Sequence, residues 1–111
     1  MVPTRLDLSA ERIEGDARLA IAGEIDHTNY RALVEQATAL LAGPRPTRLV
    51  LDFAGVTFCN SSGLNALVQI YHRASAIAVP VRLVNVRRRQ SEILALTEIG
   101  PLFDWPPGAQ A

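Results

Sequence analysis

The chain has 111 residues, 49% of them apolar and only 5% aromatic, and its 11 basic residues are balanced by 11 acidic ones. That length supports one domain around one core of Leu, Val, Ile and Ala, a composition that suits helices on a small sheet better than a β-sandwich. Even charge leaves no electrostatic footprint for nucleic acid or an anionic membrane, and because every basic residue is Arg, a lysine nucleophile, Schiff base or P-loop lysine is excluded.

The one cysteine, Cys59, has no internal disulfide partner, which fits a reducing cytosol. No basic segment followed by an apolar run opens the chain, and no apolar stretch is long enough to span a bilayer. A cytoplasmic protein without membrane insertion is expected.

In chain order, Arg5 to Leu8 and Ala17 to Ala22 are strand candidates, and Glu14-Gly15-Asp16 between them supplies hairpin turn chemistry. Gly23-Glu24-Ile25-Asp26 leaves the second strand, with Asp26 or Thr28 placed to cap a helix from about Asn29 to Leu41. Tyr30, Leu33, Val34, Ala37, Leu40 and Leu41 hold one face of that helix, and Gly43-Pro44 ends it.

Leu49 to Phe53 is a continuous apolar run, the mark of a strand covered on both faces. The polar turn Thr57-Phe58-Cys59-Asn60-Ser61-Ser62-Gly63-Leu64 follows, and then a helix spanning about Ser62 to Ala76. Pro80 precedes a strand from Val81 to Val86. Ser91 to Leu96 reads as a short helix capped by Ser91, and Leu102-Phe103 as a last strand. Residues 106–111 form a frayed tail beyond a core of about residues 5–105. The expected fold is α/β, in the order ββαβαβαβ: a mixed sheet of four or five strands opened by an antiparallel hairpin, with helices packed on it.

A strand, a polar turn and a helix place the turn at the carboxyl end of the sheet, where α/β folds bind ligands and partners. Asn60, Ser61 and Ser62 are three consecutive good N-caps where one suffices, so at least one hydroxyl is left near the positive end of a helix dipole. Ser62 reads as the cap. Ser61 is either a second cap or a site of modification.

These residues resemble a known family. Gly23-Glu24-Ile25-Asp26 after the second strand and Asn60-Ser61-Ser62-Gly63-Leu64 after the third are similar to the paired motifs of the STAS domain of bacterial anti-sigma-factor antagonists. There the motifs read Gly-Glu-Leu-Asp and Asp-Ser-Ser-Gly-Leu, and the run-up Leu51 to Phe58 fits as well. The likeness covers about Leu6 to Phe103, a single STAS domain. It implies a non-enzymatic protein that binds an anti-sigma factor, itself a GHKL-type serine kinase, and so releases a sigma factor. It also implies inactivation by phosphorylation of the first serine, here Ser61, with Ser62 the lesser candidate, and reversal by a phosphatase.

Two positions depart from the pattern: Asn60 stands where the family has Asp, and Thr97-Glu98-Ile99 where it often has Thr-Gly-Leu. The expected partner surface combines Asn60, Ser62, Gly63, Leu64 and Asn65 with Glu24, Asp26 and Thr28, and extends along Gln69 and His72. The same domain also serves as an accessory subunit of phospholipid-transport ATPases and as a stress-signalling scaffold. A serine hydrolase is a third class, but no Gly-x-Ser-x-Gly elbow is present.

The remaining chemistry-bearing residues have simple readings. His27 and His72 are surface histidines without metal-ligand neighbours, so neither a metal nor a cofactor is expected. Cys59 is a small apolar filler, Arg87-Arg88-Arg89 a solvated run, and Trp105 a cover for the sheet edge or core rim.

Overall fold

A computed structural model of the protein describes residues 5–97 and 99–103, so Trp105 and the 106–111 tail lie outside the described residues. The elements are β1 (Leu6–Ile13), β2 (Asp16–Ile25), α1 (Tyr30–Ala42), β3 (Leu49–Cys59), α2 (Ser61–Ser75), β4 (Val81–Val84), α3 (Arg88–Ala95) and a 3₁₀ turn (Gly100–Leu102). The strands lie in the order β1-β2-β3-β4 in one mixed sheet. β1 runs antiparallel to β2, and the other two pairings are parallel. The expected architecture is present, with four strands rather than five among the described residues.

The hairpin closes more tightly than its polar residues suggest. Ile13 pairs with Asp16 across a two-residue turn in which Glu14 and Gly15 both have positive φ, the combination whose twist matches the flanking strands. Both strands therefore run longer than their apolar alternation.

Two crossovers that step in the same direction along a sheet put their helices on one face, and α1 and α2 indeed pack against each other. Leu33, Val34, Ala37 and Leu41 of α1 and Ala66, Leu67, Ile70 and Ala74 of α2 are buried against Leu19, Ile21, Ile25, Leu49, Leu51, Phe53 and Leu83 of the sheet. Each fully buried Leu, Ile or Phe contributes about 1.5–3 kcal/mol relative to exposure, so this single layer contact carries the fold.

β3 extends six residues past Phe53. Its pairing with β2 slips twice: Ala20↔Asp52 is followed by Ala22↔Gly55, and Gly23↔Val56 by Glu24↔Phe58. Each slip inserts one extra residue into β3, the signature of a bulge that bends a strand without ending it. Gly55 makes the first possible, because a Cβ there would stand 2.7 Å from the Ala22 Cβ.

Two expectations at the C-terminal side are corrected. The third helix begins at Arg88 rather than Ser91, and Ser91 is buried with its hydroxyl donating to Arg88 O (2.8 Å), so it caps nothing. The entry is fixed instead by Arg87, whose guanidinium donates twice to Ala54 O (3.2 and 2.9 Å), so the arginine run is not simply solvated. Leu102-Phe103 is not a strand: Pro101, which lacks a ladder donor, sits in the 3₁₀ turn, and Phe103 packs edge-on to Tyr71.

The sheet face away from the helices carries one dense polar junction. Asp52 accepts from Arg18 (2.7 Å), from the Asn85 side chain (3.0 Å) and from the Ala54 amide (2.9 Å), tying β2, β3 and the turn after β4 together. Burial pushes the Asp52 carboxyl up, but the Ala54 amide, Asn85 and Arg18 outweigh it and hold it below its usual value of 3.8. A depressed carboxylate contributes stability above its unfolded value, and that contribution is lost as pH falls through the folded one. Asp52→Asn should therefore lower stability at neutral pH by about 1–2 kcal/mol in urea unfolding. The gap to wild type should close in acid, and a gap independent of pH would show that the charge is not what Asp52 contributes.

Candidate functional site

The serine turn is built from the last residues of β3 and the first turn of α2. Asn60 is extended, at φ −102° and ψ −165°, and its side chain accepts from the Ser62 amide (2.9 Å). Asn60 is thus the N-cap, and the expectation that Ser62 caps is corrected: Ser62 is the second helical residue and the donor in this bond. The reason is positional, since only the residue ahead of the first helical turn reaches the free amides two and three residues on. Ser61, the first helical residue, is exposed, and its hydroxyl has no hydrogen-bond partner among the described residues. It makes no hydrogen bond to His27 or His72, so no histidine is set to activate it.

Gly63 decides how closely α2 approaches the sheet. A Cβ at this buried position would stand 2.2 Å from the Cys59 Sγ and 3.2 Å from the Ile25 Cγ2. Burial pushes the Cys59 thiol up to about 11, so it is protonated at neutral pH and behaves as the small packing residue expected.

The neighbouring loop is brought alongside by register. Ile25 pairs with Cys59, Asn60 N donates to Ile25 O (3.3 Å), and the Thr57 hydroxyl donates to Gly23 O (3.2 Å). Gly23 has φ +101°, and a Cβ there would strike Arg5 O at 2.3 Å, so Arg5, just ahead of β1, closes the loop from its other side. Asp26 is not the cap of α1. Its carboxylate accepts from the Thr28 amide (2.8 Å) and hydroxyl (2.6 Å), while Asn29 occupies the cap position and turns its side chain back into the loop. There Asn29 donates to Glu24 O (2.8 Å) and accepts from Asp26 N (3.0 Å).

Glu24, Asp26 and Thr28 thus stand beside Asn60, Ser61, Ser62 and Leu64. Asn65 is exposed one helical turn after Ser61, and Gln69 (which donates to Asn65 at 3.4 Å) and the exposed His72 continue the stripe. Sequence reasoning missed two residues of this surface. Asn29 stands at the start of the expected first helix, although an Asn after Asp-His-Thr is a turn signal. Phe58 is 48% exposed and paired in register with Glu24, the largest apolar group beside the two loops. Among the described residues no group of acidic, His or Cys side chains could hold a metal, and no helix is long and apolar enough to cross a membrane.

Fold and site together define a mixed α/β domain that presents a capped helix N-terminus and a braced acidic loop on one edge. The chain belongs to the STAS domain family, whose pattern matches residues 7–107. It is similar to an anti-sigma-factor antagonist from Mycobacterium paratuberculosis at 26% identity, with a TM-score of 0.76 over 96% of this chain and 89% of that one. An antagonist domain from Planctomyces limnophilus shares the fold at 19% identity and a TM-score of 0.75, over 92% of this chain and 90% of that one. The Bacillus cell-fate determinant SpoIIAA, solved in its phosphorylated form, shares it at 16% identity and a TM-score of 0.69, over 92% and 93% of the two chains.

The contact at Gly63 yields a prediction with an unusual sign. Within a helix Gly→Ala ordinarily gains up to about 1 kcal/mol. Here overpacking against Cys59 should make Gly63→Ala destabilising by about 1–3 kcal/mol. Adding Cys59→Ala should recover most of that loss in a denaturation double-mutant cycle. Additive effects of the two changes would mean that the Cys59 contact does not set the position of α2.

Proposed function

We propose that this protein is an anti-sigma-factor antagonist. It binds an anti-sigma factor of the GHKL serine-kinase type, frees the sigma factor held by it, and is switched off by phosphorylation of Ser61. It acts as a binding protein rather than an enzyme, in the cytoplasm, and a phosphatase restores it. The docking surface joins Glu24, Asp26 and Thr28 to Asn60, Ser62, Leu64 and Asn65; Gly63, expected on it, is buried and only sets how closely the two loops approach.

The observation that supports this most is the state of the Ser61 hydroxyl: exposed, without a partner among the described residues, and on the first residue of a helix whose cap is already supplied by Asn60. A kinase can take that hydroxyl without removing anything the fold uses. The phosphate brings about −1.5 to −2 charges, which the amides and dipole at a helix N-terminus tolerate. On a docking surface fitted to the bare hydroxyl, the same group must be desolvated, fills space the partner occupies, and adds like charge beside Glu24 and Asp26. Binding is lost and the fold stays.

Asn60 removes one charge from the family motif, yet it caps as well as Asp does. The consequence falls on the kinase's handling of Ser61 and on the partner surface that Asn60 joins. Incubation with ATP and the anti-sigma kinase of the same organism should add one phosphate by intact mass, and Ser61→Ala should add none while still binding the kinase. Phosphate on Ser62, or on the alanine variant, would overturn the assignment. Binding without any phosphate would leave an antagonist that is not regulated at this site.

A further inference from the structure

α3 (Arg88–Ala95) is the least secured helix of the domain. Its eight residues cannot hold a helix by themselves, since isolated helices shorter than about 12–15 residues are marginal in water. Neither end is capped by a side chain. The first turn carries no acidic residue but Arg88 and Arg89, charges of the wrong sign for the positive end of a helix dipole. Only Gln90, Ser91 and Leu94 are buried, and of these Leu94 alone is a large apolar group; Ile93 is 37% exposed and Leu96, at the C-cap, 89%. The Arg88–Glu92 pair (3.4 Å) lies in solvent and adds little.

Closure also carries a standing cost. The Gln90 amide oxygen is buried and accepts no hydrogen bond among the described residues, and lifting α3 returns it to water. Against this stand Leu94 and the Arg87 guanidinium, which grips Ala54 O at the entry to the helix. Ahead of that grip the chain turns at Asn85, with φ +54° and its own bond to Asp52, so movement of α3 need not reach β4.

Beneath α3, Gln90, Ile93 and Leu94 close over Phe53 and Cys59 of β3 and Leu64 and Leu67 of α2, leaving an inner space of about 10 Å³, room for one water at most. Cys59 is partly covered and its thiol is pushed up to about 11, so it reacts poorly while α3 is closed. We propose that α3 opens as a unit, while the sheet, α1 and α2 stay folded, and so uncovers the apolar wall of Phe53, Cys59, Leu64 and Leu67. Proteins open locally at free energies below that of global unfolding, and the elements that do so are those with few buried apolar contacts. Leu64 belongs both to this wall and to the proposed docking surface, so a partner seated there and the opening of α3 act on each other. The opening itself does not rest on that reading.

Amide hydrogen exchange of the full chain, followed residue by residue by NMR, tests this. The amides of Glu92 to Ala95 should exchange about a hundredfold faster than that of Ile70 in α2, and low urea should speed Ile70 but not α3. Arg87→Ala should speed the α3 amides about tenfold, and Gln90→Met should slow them about fivefold. Leu41→Ala, near the C-terminal end of α1, should speed Ile70 alone; Leu41→Val serves if the alanine variant does not fold. Modification of Cys59 by a bulky disulfide reagent should follow the α3 amides through all of these variants. Urea-dependent exchange at α3, or its acceleration by the Leu41 change, would mean that the helix opens only with the whole domain and would overturn the proposal. Cys59 modification that follows Ile70 instead would refute the uncovering of the wall.

Discussion

The approach of the first turn of α2 to the paired ends of β2 and β3 is the constraint on which the site depends. Gly63 leaves room for the Cys59 sulfur where any Cβ would overlap it, and Ile25 fills the other side of the same contact. If α2 stood off by the width of a methyl group, Asn60 could not both cap the helix through its side chain and donate its backbone amide to Ile25 O. One close contact therefore fixes the helix terminus relative to the loop after β2. The large buried layer beneath holds the helix to the sheet; this contact decides where along the sheet it begins.

The bends in β3 serve the same end. β4 pairs with β3 only as far as Asp52, while β2 continues alongside β3 to Cys59. Beyond Asp52 the outer edge of β3 has no strand partner among the described residues, and such an edge invites mispairing. Two local devices cover its start: Asp52 accepts from the Ala54 amide, and Arg87 takes the Ala54 carbonyl. The extra residues shift the register, so that Phe58 meets Glu24 and Cys59 meets Ile25 at the level where both loops depart. The polar junction at Asp52 thus anchors the strand on which the site is carried.

Much of this was legible because local chemistry and tertiary role agree. Leu49 to Phe53 reads as a strand covered on both faces, but the helices cover only the face of Leu49, Leu51 and Phe53, and Asp52 turns to a polar junction on the other; Glu14-Gly15 reads as a hairpin turn and takes positive φ at both residues. The helical stripe from Tyr30 to Leu41 and the two motifs in register made the family plain. The failures fall where tertiary structure overrides a local signal. Ala54-Gly55 looks like the end of a strand, but the glycine is there for the close approach of Ala22 within a bulge. Ser91 looks like a cap, but it faces the core, and a distant carbonyl holding Arg87 sets the helix start. Among Asn60, Ser61 and Ser62 composition could not choose, because all three cap well; only the exact phase of the helix assigns Asn60. The burial of Gln90 has no sequence signal, since a lone Gln in a polar helix start gives no hint of it.

That phase also explains how fold and proposed switching chemistry are kept apart within three residues. Asn60 and Gly63 are structural: one must offer an acceptor to a helix amide, the other must yield space. Ser61 lies between them and touches neither task, because the first helical position points its side chain outward over a turn already closed. Had Ser61 been the cap, its hydroxyl would have been held to a backbone amide, and modifying it would have frayed α2 and loosened the contact at Cys59. With the cap supplied by an amide side chain one residue earlier, charge can be added at Ser61 at a cost to what the surface binds and at little cost to the domain. The replacement of Asp by Asn at position 60 fits that division, since capping needs an acceptor oxygen and not a charge.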